Sequence, residues 1–135
     1  MRGEVFFDTS VLIYLLVLDD PRSVVAYDLV QRGGTVNVQV LNEFVSVSRR
    51  KLKLTWPEVD DALSNLHLLC GDPTPVLAET QQAAVAMAKR YGFHIYDSLI
   101  VASAIKAGAA VLYSEDMQHG QRIGALTIRN PFLKV

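Results

Sequence analysis

Four acidic residues lie at positions where a carboxylate is costly to bury. Asp8 and Asp116 each come shortly after an apolar run. Glu43 falls on the apolar stripe of a predicted helix, and Asp97 lies near the start of a helix that is apolar nearly all round. A buried carboxylate destabilises a fold unless a cation or hydrogen bonds compensate its charge. A shared function would explain all four positions with a single cause.

The chemistry predicted for these acids is that of a hard metal ion. Carboxylates that converge on one cleft stay ionised together only when a cation is present. The ligands would all be oxygen atoms, which is typical of Mg²⁺ or Mn²⁺ rather than zinc. Such a site binds phosphate oxygens and activates water, so phosphodiester hydrolysis is the natural reaction. We expect Ser10 and Ser114 to orient the acids or a metal-bound water. Arg122 is a candidate phosphate contact, with a solvated loop as the alternative.

Strands alternate with helices along the chain, which predicts an α/β fold with a mainly parallel sheet. Strands are predicted at 4–7, 35–38 and 109–113, with a short edge strand at 126–129. Helices are predicted at 11–18 (capped by Thr9 or Ser10), 21–31, 40–53, 56–69 and 77–91, and from Asp97 to near Gly108. Ligands of such sheets bind beyond the carboxyl ends of the strands, where Asp8 and Asp116 fall.

The composition is that of one ordinary globular domain. The chain has 135 residues, of which 50% are hydrophobic, and this length suffices for a real core. The formal net charge of −1 gives no general affinity for nucleic acid, so any such site must be local. The single cysteine, Cys70, is expected to be a buried thiol in a reducing cytoplasm. The apolar stretch 5–18 is too short for a membrane span.

The order and spacing of four short motifs resemble those of PIN-domain nucleases. The motifs are Phe7-Asp8-Thr9-Ser10-Val11-Leu12, Asn42-Glu43-Phe44, Tyr96-Asp97-Ser98-Leu99-Ile100 and Ser114-Glu115-Asp116. The chain is most similar to the VapC-type ribonucleases of toxin–antitoxin pairs. One departure is Gln118, which stands where many relatives have a further acid.

The resemblance implies a three-layer α/β/α sandwich formed by residues 1–135 as a single nuclease domain. It implies RNA cleavage that depends on Mg²⁺ or Mn²⁺, a homodimer, and inhibition by a small antitoxin protein. It also implies that Asp8, Glu43, Asp97 and Asp116 are both the catalytic residues and the metal ligands. The leucines of the helix at 56–69 could form a partner surface or simply pack in the core.

Other interpretations of the same residues remain open. Singly, Asp8 could be a helix cap, Asp97 a first-turn acid favoured by the helix dipole, and Asp116 a turn residue. Glu43 could pair with a nearby arginine, and Glu115 is expected to face solvent. As a whole, the chain could be a PIN-like binding module that no longer cleaves. A phosphatase with Asp8 as nucleophile is disfavoured, because Ser10 stands where a second acid is needed.

Overall fold

A mainly parallel sheet lies at the centre of the fold. The computed structural model describes residues 4–135. In that range the strands are β1 (Val5–Phe7), β2 (Val111–Tyr113), β3 (Arg122–Ile123) and β4 (Leu126–Arg129). Their order across the sheet is β1–β2–β4–β3, with β2 parallel to both neighbours and β3 antiparallel to β4. The predicted α/β class is confirmed, and the apolar strand β2 is central as expected.

Helices connect the strands and cover the sheet. They are α1 (Thr9–Leu12), α2 (Arg22–Gln31), α3 (Val38–Arg50), α4 (Trp56–Cys70), α5 (Ala78–Tyr91) and α6 (Ile95–Lys106), with a 3-10 turn at Ile13–Leu16. Two predicted boundaries follow local signals. Thr55 and Glu58 form a reciprocal capping box at the start of α4. Gly92 ends α5 with a φ of 75°, a conformation that glycine adopts without steric cost.

The predicted strand at 35–38 is wrong. The segment 35–38 forms isolated parallel bridges, Thr35 with Phe6 of β1 and Asn37 with Thr74, but no continuous strand. The chain then enters α3, because the side chain of Asn37 caps the helix by accepting the N–H of Val40 at 2.7 Å. The helix start leaves too little extended chain for a strand.

Two further predictions are corrected at the ends of the chain. The N-cap of the first helix is Asp8 rather than Thr9 or Ser10, because β1 ends at Phe7 and leaves Asp8 extended. This helix is regular only to Leu12 and continues as the 3-10 turn instead of reaching Leu18. Strand β4 is not at the edge, because the two-residue strand β3 pairs with its outer side.

The core fixes α3 against α6. Phe6, Phe7 and Phe44 are almost fully buried, and Cys70 is buried as predicted. The amide of Asn37 donates to Ser103 Oγ of α6 at 2.8 Å in the buried interior. The same side chain therefore caps α3 and attaches it to α6, the two helices that carry Glu43 and Asp97.

No helix within residues 4–135 is both long enough and apolar enough to cross a membrane.

Candidate active site

An open cleft of about 380 Å³ lies where β1 and β2 end. It is lined by Asp8, Thr9, Ser10, Ile13, Tyr14, Glu43, Ser46, Val47, Arg50, Lys51, Asp97, Glu115 and Asp116. All four sequence-predicted acids are among these residues, and we refer to Asp8, Glu43, Asp97 and Asp116 as the acidic quartet. Carboxylates from two strand ends and two helices therefore share one solvent-open space.

Asp8 is the most deeply held member of the quartet. Its side chain is 3% exposed. One carboxylate oxygen accepts the N–H of Thr9 at 2.8 Å, and the other accepts the hydroxyls of Ser10 and Ser114, each at 2.8 Å. Burial raises the pKa of Asp8, hydrogen bonds from Ser114, Ser10 and Thr9 oppose this, and the charge of Glu43 adds to it. Asp8 is therefore both the N-cap of α1 and part of the cleft lining.

The two predicted serines extend this network to the strand end of β2. Ser10 Oγ accepts the N–H of Glu115 at 3.0 Å, and Ser114 Oγ accepts the N–H of Asp116 at 3.2 Å. Each hydroxyl therefore donates to the Asp8 carboxylate while accepting from the loop that carries Asp116. The structure therefore places both serines in contact with Asp8 and with the backbone beside Asp116.

Thr9 holds Glu43, a role that the sequence did not indicate. Its hydroxyl lies 3.0 Å from the carbonyl oxygen of Val40 and 3.1 Å from a carboxylate oxygen of Glu43. The other Glu43 oxygen accepts from the amide of Gln39 at 3.3 Å. The nearby arginine Arg50 instead donates to a serine hydroxyl, so the expected helix-edge ion pair is not what positions Glu43.

Asp97 and Asp116 lie on the open side of the cleft. Asp97 is half-buried in the first turn of α6, where the His94 side chain caps the helix. Burial and the charges of Asp8 and Asp116 raise the pKa of Asp97 to about 6. Burial also raises the pKa of Asp116, and the charges of Asp8 and Glu115 add to this. Mutual repulsion among the acids is therefore a property of the folded chain.

Glu115 belongs to the cleft, and the expectation that it faces solvent is wrong. The Tyr14 hydroxyl donates to one Glu115 oxygen at 2.6 Å, and Arg22 pairs with the other at 3.0 Å. The same guanidinium lies 4.4 Å from the centre of the Tyr14 ring and pairs with Asp20 at 2.7 Å. The cluster ties the 3-10 turn and α2 to the loop beside Asp116. The sequence could have indicated a polar partner for Tyr14, because its phenol hydroxyl lies within an otherwise aliphatic run.

Arg122 does not join this arrangement. It lies on the edge strand β3, where it is exposed and pairs with Thr127 of β4. It is not among the residues that line the cleft. Because β3 pairs at the outer edge of the sheet, this predicted phosphate contact is placed away from the quartet.

The donor set of the cleft suits a hard cation. The quartet contributes only carboxylate side chains to the cleft lining, and carboxylate oxygens are ligands that a hard cation prefers. Burial is the main cause of the raised pKa values of Asp8, Asp97 and Asp116, and the charges of neighbouring acids add to it. Within residues 4–135, however, no three acidic, histidine or cysteine side chains stand close enough to form a ready metal site. The chemistry of the donors fits Mg²⁺ or Mn²⁺, and binding would require the open carboxylates to draw together.

Residues 5–122 match the PIN domain family, and the chain belongs to that family. The match includes every member of the acidic quartet. No curated protein is similar enough in sequence to match the chain.

Solved structures share the fold at low sequence identity. One is the VapC20 toxin of Mycobacterium tuberculosis, described as cleaving the sarcin–ricin loop (TM-score 0.69, 20% identity, 84% of this chain and 92% of that chain). A second is a toxin–antitoxin complex from Klebsiella pneumoniae (TM-score 0.71, 17% identity, 96% and 98%). A third is VapBC2 of Rickettsia felis bound to a promoter DNA fragment (TM-score 0.64, 19% identity, 93% and 97%).

Proposed function

We propose that this protein is a divalent-metal-dependent endoribonuclease that hydrolyses RNA phosphodiester bonds. The observation that carries the proposal is the convergence of the acidic quartet on one open cleft at the ends of two parallel strands. Membership of the PIN domain family supports the nuclease class. The openness of the cleft suits a polymer that must enter and leave.

Each member of the quartet has a proposed role. Asp8, Asp97 and Asp116 would hold Mg²⁺ or Mn²⁺, and Glu43 would complete the ligand shell or orient the attacking water. When bound, the ion would supply an activated water and stabilise the leaving oxygen. The hydrogen bonds of Thr9, Ser10 and Ser114 would keep the carboxylates of Asp8 and Glu43 in place.

Cleavage of a mixed cellular RNA pool by the purified protein tests this proposal. The reactions contain Mg²⁺, Mn²⁺ or a chelator, with Asp97→Asn as the matched variant, since it removes one charge and keeps the size of the side chain. We expect strand cleavage that needs the metal and disappears in the variant. Normal cleavage by Asp97→Asn would overturn the assignment.

We further propose that the nuclease is a toxin that acts as a homodimer in the cytoplasm and is inhibited by a small antitoxin protein. Structural neighbours described as toxin–antitoxin complexes support the partner. A second, more apolar cleft between the 3-10 turn, α2 and α4 offers exposed side chains, of which Leu68 is 73% and Tyr27 59% exposed. By contrast, Leu66 packs in the core. A small protein encoded beside this chain is expected to block cleavage at equimolar amounts.

A second candidate is a PIN-like module that binds RNA or protein without cleaving. It is favoured by the absence of a ready-made metal site among the described residues. Metal titration separates the candidates, because an ion that binds only the folded state raises the melting temperature. An inactive module is expected to show neither cleavage nor stabilisation by Mn²⁺.

A further inference from the structure

Two basic side chains line the same cleft as the acidic quartet. Arg50 and Lys51 lie at the end of α3, and both are exposed. Burial and the charges of Asp8 and Glu115 raise the pKa of Asp116, and Lys51 is close enough for its charge to lower it in part. The positive charge is therefore within electrostatic reach of the quartet.

Helix geometry sets the distance along α3 between Glu43 and Arg50. Glu43 and Arg50 are seven residues apart, two turns along one face of the helix, with Ser46 and Val47 between them in the cleft wall. At about 1.5 Å of rise per residue, this spacing corresponds to about 10 Å. The basic residues therefore lie beside the quartet rather than within it.

The neighbouring Arg49 differs from Arg50 and Lys51, because its guanidinium binds other residues outside the cleft. Its guanidinium donates to the carbonyl of Leu54 at 2.8 Å and lies 4.4 Å from the centre of the Trp56 ring. Arg50 donates through Nε to Ser46 Oγ at 3.0 Å. Within residues 4–135, the terminal nitrogens of Arg50 and the ammonium of Lys51 have no hydrogen-bonding or ion-pair partner.

An RNA strand needs such charge at this position. The chain carries a net charge of −1 and the quartet is acidic, so a phosphate backbone gains no general attraction from the protein. Lys and Arg side chains that replace counterions around phosphates supply most of the sequence-independent affinity for nucleic acid. Positive charge beside the reacting centre would attract the RNA strand without competing with the metal ion for the carboxylates.

We propose that Arg50 and Lys51 form a rim that binds the RNA backbone at a phosphate next to the one cleaved. The inference rests on the proposed ribonuclease function and extends it to the residues that hold the substrate. Phosphate contacts fix the position of a strand but read no sequence. The rim therefore sets affinity and register, while other parts of the cleft select the cut site.

The test is RNA binding by protein that cannot cut its ligand. In an Asp97→Asn background with Mn²⁺ present, fluorescence anisotropy measures the affinity for labelled single-stranded RNAs of several sequences over a range of salt concentrations. We expect the Arg50→Gln/Lys51→Gln double variant to bind every sequence severalfold more weakly. The plot of log affinity against log salt concentration should become less steep, by about 0.7 in slope for each phosphate contact that is lost.

Two control substitutions, made singly and together, remove positive charge elsewhere, and the pair removes as many charges as the double variant does. Arg49→Gln alters the adjacent arginine, and Lys89→Gln alters an exposed lysine near the end of α5. Neither should change the affinity or the salt slope. In the cleavage-competent protein, the double variant should raise KM and leave kcat unchanged, a split that a general folding defect would not produce.

Three results would overturn the rim. If the double variant and its parent have equal affinity and salt slope while the wild type cleaves RNA, the rim proposal is wrong and the proposed nuclease function is retained. Equal losses in the Arg49→Gln and Lys89→Gln variants would show a general charge effect. If the parent does not bind RNA and the wild type does not cleave it, both the proposed function and the rim proposal are wrong.

Discussion

The two sides of the cleft are built in opposite ways. On the closed side, Asp8 is buried and accepts three hydrogen bonds, and Thr9 donates to Glu43. On the open side, the carboxylates of Asp97 and Asp116 accept no hydrogen bond and form no ion pair with any residue in the described range 4–135. One pair of acids is positioned by the fold, and the other pair faces solvent beside them.

The protein fold stabilises the carboxylates on the closed side, whereas the carboxylates on the open side depend on a bound ligand for stabilisation. The donors around Asp8 compensate part of the cost of burying its charge. The open carboxylates have no such compensation, and repulsion contributes to the raised pKa of both Asp97 and Asp116. A cation bound between the two sides would remove that repulsion, so the open side is where metal binding and protein stability should be coupled.

The largest expected effect compares alanine substitutions on the two sides. Asp8→Ala and Asp97→Ala should each lower cleavage on the order of 10²-fold or more, because each removes a proposed metal ligand. Their stabilities should differ. Asp8→Ala removes a helix cap and the acceptor for two hydroxyls, a loss of about 2 kcal/mol in the free energy of unfolding.

Asp97→Ala removes no hydrogen bond and relieves repulsion, so its unfolding free energy should stay within about 0.5 kcal/mol of wild type or rise. Urea unfolding in the presence of chelator measures both variants. Equal destabilisation by the two substitutions would show that the two sides do not differ in the way the geometry indicates.

The second prediction concerns the hydroxyl of Thr9 on the closed side. Thr9→Val keeps the shape of the side chain and removes the donor to Val40 and Glu43. We expect Mn²⁺ affinity to fall by about 10- to 100-fold, the usual effect of losing a group that orients a metal ligand. Calorimetric titration measures the loss. Thr9→Ser keeps the hydroxyl and should bind Mn²⁺ nearly normally; if it is as impaired as Thr9→Val, packing of the methyl group is responsible instead.

The third prediction is a dependence of stability on pH that comes from the open side. The pKa of Asp97 is about 6 in the folded protein, compared with 3.8 for the free carboxyl. At Asp97 the folded chain therefore binds more protons than the unfolded chain between these values, and the contribution of this group to stability should fall as pH rises from about 4 to 6. The raised pKa values of Asp8 and Asp116 act in the same direction.

Melting temperatures measured from pH 4 to 8 in chelator should show this decline. Adding Mn²⁺ at pH 7 should reverse it, and Asp97→Asn should reduce both the decline and the response to the ion. A melting temperature that rises steadily to pH 7 in the absence of metal would contradict the prediction.

The smallest expected effect concerns the cluster around Glu115. Tyr14→Phe removes the 2.6 Å hydrogen bond to Glu115 and leaves the Arg22 ion pair at 3.0 Å. Burial and the hydrogen bond to Glu115 raise the pKa of Tyr14 to about 12, so the phenol remains a donor throughout the assay range. We expect about 1 kcal/mol of lost stability and nearly normal cleavage. A loss of cleavage as large as that of Asp97→Ala would place Tyr14 among the groups that contact substrate.

The sequence predicted the class of fold and most of its elements because local signals were strong. Periodic apolar residues defined α3, the Thr55–Glu58 capping box marked the start of α4, and Gly92 marked the end of α5. The strand predicted at 35–38 failed because β-branched residues alternate there although Asn37 already caps α3. Two-residue strand β3 gave no signal, since so short a pairing depends on β4 rather than on its own residues.

The sequence by itself determined which side chains could form a carboxylate site and which strand and helix ends would carry them. Residue types, spacing and order suffice for that, because parallel strands bring their carboxyl ends to one edge. Only the tertiary structure decided how each acid is held. Contacts such as Ser114 with Asp8, Thr9 with Glu43 and Tyr14 with Glu115 join residues 34 to 106 positions apart. The same packing gave a terminal nitrogen of Arg49 a partner in Leu54, whereas Arg50 is bonded only through Nε, a distinction that depends on neighbours in space.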